Sequence, residues 1–192
     1  MYEHITMRPP APRTIAARAI SVALFASLVS CSNDASTADP AASRQISTGT
    51  VDSTSQPPWP APAHVNDRVA DAGLDLGPMG MAEHYHPELE IVVDGRKVPV
   101  APNIGVDLSS GAMSALHTHA ADGVIHVEAD QAGERFTLGQ FFTEWGVQLS
   151  RQQIGGVRAT SNIVVTVNGE RYEGDPAEVR LEPDQKIEVE IR

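Results

Sequence analysis

Five of the seven histidines fall between His84 and His126, and their spacing is that of ligands carried on strands. His84 and His86 make one His-x-His pair, His117 and His119 a second. Residues two apart on an extended chain leave the same face. Imidazole is the commonest side-chain ligand for transition metals, and two such pairs facing each other offer four nitrogens. That set suits tetrahedral Zn²⁺ at about 2.0–2.1 Å or tetragonal Cu²⁺. A copper or zinc ion is therefore the expected cofactor, held by His84, His86, His117 and His119, with His126 as fifth ligand or support. Met79, Met81 and Met113 lie within a few residues of the pairs. Their thioethers would favour Cu(I), but packing in loops and core is the preferred account of them. Glu88, Asp122 and Glu128 are placed to act as outer partners that orient a ligating histidine.

Whether His126 joins the pairs depends on a turn. Residues 120–123 end in Asp122 and Gly123, which is turn chemistry, and Val124 to Glu128 reads as the return strand. With residues 120–123 as the loop, Thr118 faces Ile125 and His117 faces His126, roughly 5 Å apart at Cβ. A three-residue loop would shift the register by one and turn His126 away. Two other functions compete with metal handling. One is a metal-free interaction module whose histidines are surface groups. The other is a zinc-dependent hydrolase in which a three-histidine zinc ion activates water beside Glu128, Asp122 or Glu88. No nucleophile elbow, phosphate loop or zinc-protease helix motif occurs. Catalysis ranks below binding, and no catalytic residue is assigned.

The elements that must position these residues follow from periodicity. From Glu83, Tyr85, Leu89, Ile91 and Val93 share one face of extended chain, with His84, His86, Glu88 and Glu90 on the other. Pro87 makes this an edge or moves the strand start past itself. Asp94-Gly95 and Asn168-Gly169 each separate two apolar runs and predict two-residue hairpins. Thr137 and Gln140 fit a capping box, with Phe136 and Phe141 as a hydrophobic staple. Leu138, Phe141, Phe142 and Trp145 then follow helical spacing up to Gly146, a natural stop. Strands are expected again at Val179–Leu181 and Lys186–Ile191. The fold class is a small α+β domain, mostly antiparallel, with one short helix.

The N-terminus reads as a processing segment. Arg8, Arg13 and Arg18 precede an apolar stretch, Ala19 to Val29, that is too short to span a bilayer. Leu28-Val-Ser-Cys31 looks like a lipobox, making residues 1–30 a lipoprotein signal and Cys31 the lipidated mature N-terminus. Cys31 is the only cysteine, so the domain has no internal disulfide and no thiolate site. Residues 31–63 are rich in Ser, Thr, Ala and Pro and read as a disordered tether, with Trp59 exposed or loosely docked. Such a tether would hold the compact domain, residues 64–192, about 30 Å from a membrane. Removal of residues 1–30 takes away Arg8, Arg13, Arg18 and Glu3, moving the net charge from −11 to −13. That charge argues against nucleic acid or an anionic lipid surface as partner. The expected location is extracytoplasmic, with the membrane engaged only through the anchor and any protein partner unspecified.

Three blocks of residues resemble a known pattern. They are His84-Tyr-His86-Pro-x-Leu-x-Ile, then Leu116-His-Thr-His119 with Gly123-Val-Ile-His126-Val-Glu128, and Phe136-Thr-Leu-Gly-Gln-Phe-Phe-x-x-Trp145-Gly146. Together with Leu181-Glu-Pro and Gln185-x-Ile they resemble a family of uncharacterised bacterial secreted or membrane-anchored proteins over roughly residues 80–192. The resemblance implies little about activity. Some members of that family carry cysteines where this chain has Ile154-Gly-Gly-Val157 and a histidine near Asp184. Their absence here removes thiol and extra imidazole chemistry, and with it the basis for a redox role.

Overall fold

The computed structural model describes residues 54–192. The expected signal segment, Cys31 and the tether up to residue 53 lie outside the described residues. In chain order the elements are α1 (Val65–Asp71), β1 (Glu83–Tyr85), β2 (Glu88–Val93), β3 (Arg96–Val98), β4 (Leu116–His117) and β5 (His126–Ala129). They continue with α2 (Leu138–Trp145), β6 (Leu149–Ser150), β7 (Gln153–Ile154), β8 (Val157–Arg158), β9 (Val164–Val167) and β10 (Glu170–Tyr172). A 3₁₀ turn at Pro176–Glu178 and β11 (Lys186–Ile191) complete the chain. The domain is α+β and mostly antiparallel.

Three sheets organise it. One is five-stranded in the order β10-β9-β11-β2-β3, and two are three-stranded, β1-β5-β4 and β6-β7-β8. Both expected hairpins form, Val93 pairing with Arg96 and Val167 with Glu170. Asp94 and Asn168 adopt the positive φ that a two-residue turn of this hand requires, 49° and 53°. Pro87 divides its run between two sheets: β1 lies in the histidine sheet and β2 in the large one. The missing N–H of proline removes a ladder bond, and the chain uses that gap to cross over.

The helix α2 forms as its sequence dictates. Thr137 N–H donates to Gln140 Oε1 at 3.0 Å, and Gln140 N–H donates to Thr137 Oγ1 at 3.2 Å. Leu138, Phe141, Phe142 and Trp145 are buried, as is Phe136 before the cap. They join Leu89, Ile91, Leu116, Ile125, Val127, Val189 and Ile191 in one apolar core.

Four features depart from expectation. A second helix, α1, precedes the first strand; only Val69 of its seven residues is buried, so no apolar stripe marks it in the sequence. Val179–Leu181 is not a strand but makes a single bridge, Thr137 with Arg180. The last strand, β11, lies parallel to β2, pairing Val189 with Ile91. Finally, the end of the expected tether is docked. Trp59 is 3% exposed, and its ring meets Trp145 edge-on at 5.9 Å. Its seat lies against Gly155 and Gly156, where any Cβ would collide with Trp59 or with the backbone of Thr54. No helix among the described residues is long and apolar enough to cross a membrane.

Candidate metal centre

The histidine sheet has β5 in the middle, β1 on one side and β4 on the other. Its register is fixed by the turn after His119. Asp122 Oδ1 accepts from Val124 N–H at 3.0 Å, and Gly123 takes a φ of 86°. A Cβ on Gly123 would strike the carbonyl of Leu89 in β2, and Leu89 N–H donates to the Gly123 carbonyl at 2.8 Å. With the loop so pinned, His117 pairs with His126, and His84 pairs with Glu128 on the other side. Side-chain alternation then puts all five imidazoles and Glu128 on one face of the sheet. Leu116, Ile125 and Val127 occupy the opposite face and are fully buried in the core.

The five rings form one contiguous cluster centred on His126. Its centroid lies 4.5 Å from that of His86, 4.6 Å from His119, 5.2 Å from His117 and 6.2 Å from His84. Candidate donor atoms fall into two sets, His84/His86/His126 and His117/His119/His126, each with its atoms within 4.8 Å of one another. His126, expected as a fifth ligand or support, is the member common to both. His84, His86 and His119 are exposed, His126 is half-buried, and His117 forms an enclosed floor.

Outer partners orient two of the rings. His117 Nδ1 lies 2.9 Å from the Ser114 carbonyl, an oxygen that can only accept. Nδ1 therefore carries the proton, and the lone pair is on Nε2. That Nε2 is buried and has no hydrogen-bond partner. His84 Nε2 lies 3.3 Å from Glu128 Oε1, the carboxylate–histidine contact that commonly backs a metal ligand. Burial lowers the pKa of His117, outweighing the Ser114 contact that favours its charged form. Burial, reinforced by the surrounding imidazoles, brings that of His126 down to about 4. Both rings are neutral at pH 7 and have lone pairs to give.

The remaining candidates lie elsewhere. Glu88 reaches Lys186 at 3.8 Å, and Asp122 is engaged in its turn. Met79 and Met113 line a neighbouring cleft with Ser114 and Glu128, while Met81 is 90% exposed.

Behind the floor lies Glu144 of α2, a group the sequence reading passed over. It is fully buried, and its carboxylate oxygens lack a well-formed hydrogen bond, though the Ser114 hydroxyl faces them. Burial pushes its carboxyl up to about 8, with the Ser114 hydroxyl pulling the other way. Gly105 makes room for it, since a Cβ there would crowd its carboxylate. The one sequence signal was its place three residues after Phe141, at the margin of the apolar face. No family model matches this chain, and neither a curated protein nor a solved structure is significantly similar to it.

Proposed function

We propose that this protein is a membrane-anchored, extracytoplasmic binder of copper or zinc, serving metal acquisition, buffering or handover at the cell surface. The observation that carries the metal reading is His117 Nε2, a buried nitrogen with a free lone pair and no partner. Leaving such an atom unpaired costs about 1–3 kcal/mol, a cost that a bound cation removes. The surrounding imidazoles make that cation a transition metal. Location and anchoring rest on the lipobox ending at Cys31 and on the resemblance to secreted and anchored bacterial proteins. Glu128 supports binding through His84, and no step of catalysis is assigned to it.

The test is a zinc and copper titration of the full chain carrying Cys31→Ser, which removes the one thiol. Beside it stands a variant with all five clustered histidines changed to alanine, its folding checked by circular dichroism. Stoichiometric, sub-micromolar binding by the histidine-bearing chain, absent from the folded variant, is the expected result. Affinity should also weaken between about pH 7.5 and 5, because protons compete for imidazole. Equal binding by both chains, or none by the histidine-bearing chain, would overturn the reading.

A further inference from the structure

The cluster offers five imidazoles, one more than a tetrahedral site takes. Nitrogen donors at about 2.0–2.1 Å from a single ion stand at most about 4.2 Å from one another. Among the described residues the candidate donor atoms gather in two groups, each within 4.8 Å, which share His126 and no other residue. We propose that the site is dinuclear. One divalent transition-metal ion sits on His84, His86 and Nδ1 of His126; a second sits on His117, His119 and Nε2 of that same ring. This rests on the metal-binding reading above and goes further, by giving the number of ions and the group that joins them.

Three observations converge on it. The sheet places His126 on its central strand with a His-x-His pair on each side, so a ring with two nitrogens faces two sets of partners. One nitrogen already faces the first pair, His126 Nδ1 lying 3.2 Å from His86 Nε2, and the proposal gives Nε2 to the other pair. Each set also has its own outer partner, Glu128 at His84 and the Ser114 carbonyl at His117.

The chemistry balances simply. The first ion takes one lone pair of neutral His126. The second displaces the remaining ring proton, which leaves to solvent, and the ring bridges as imidazolate. Neither ion changes oxidation state. Each set of three donors leaves a further coordination position open to water or to a donor from a delivery partner.

Copper titration of the full chain carrying Cys31→Ser tests this, read by copper content and by the electron paramagnetic resonance of Cu²⁺. Two ions per chain are expected, with an integrated spin signal at liquid-helium temperature less than half the copper content, because the imidazolate couples the two unpaired electrons antiferromagnetically. Changing His84 and His86 to alanine should leave one ion per chain and restore one spin per copper. Saturation at one ion, or two ions with full spin count, would overturn the bridge while leaving metal binding intact. Absence of bound copper and of bound zinc alike would remove both readings together. The histidine-bearing chain decides the question by itself, so a variant that fails to fold does not obscure the answer.

Discussion

At His117 the two ring nitrogens have separate duties. Nδ1 is held by the Ser114 carbonyl, and Nε2 is presented into the cluster with nothing to bond. Ser114 also faces Glu144, whose buried carboxyl is raised to about 8 from an ordinary value of 4.5. Between those values the folded chain keeps a proton that the unfolded chain gives up. Stability therefore falls as pH rises through that window, by at most about 1.4 kcal/mol per pH unit. Glu144→Gln removes the ionisation but keeps the shape. In urea unfolding at pH 5 and pH 8 the variant should gain stability over the native protein as pH rises, by a few kcal/mol at most. An unchanged gap between the two proteins would show that the carboxyl is not raised. Residue identity announced the histidines as candidate ligands, since five of them crowd a short span. It did not announce Glu144, because a carboxylate beside an apolar helical face normally reaches water.

Among the elements, the turn after His119 has the largest consequence. Both strand partners of the turn were legible, yet two registers were open, and only one brings His126 to the site. Contact with β2 decides between them, since Gly123 lies against the Leu89 carbonyl with no space for a side chain. Gly123→Ala should destabilise the domain by at least about 1–2 kcal/mol from its left-handed backbone alone. It should also weaken zinc binding more than an equally destabilising change in β9 or β10, because it displaces His126. Equal losses would mean the turn is a generic stability element. The helix α2 was readable to the residue, because capping groups and apolar spacing are local and agree. By contrast α1, which buries a single side chain, is held by its surroundings.

For the molecule as a whole, the docked segment ahead of α1 extends the core beyond the expected boundary at residue 64. Trp59 fills a seat beside Trp145, whose indole Nε1–H donates to the Pro60 carbonyl at 3.1 Å, and Gly155–Gly156 lets the chain approach. Trp59→Ala should cost about 3–5 kcal/mol in denaturant unfolding; a loss within about 0.5 kcal/mol would return the segment to the tether. The sequence by itself determined the α+β class, the two hairpins, the capped helix and the pairing of His84 with His86 and of His117 with His119. All of these are written in local periodicity and turn chemistry, which act over a few residues. Tertiary structure alone decided that the two pairs meet, that they meet across His126, that β11 runs parallel to β2, and that a proline-rich segment is packed. Those are contacts between residues tens of positions apart, and their free energy depends on which surfaces come together rather than on any spacing along the chain.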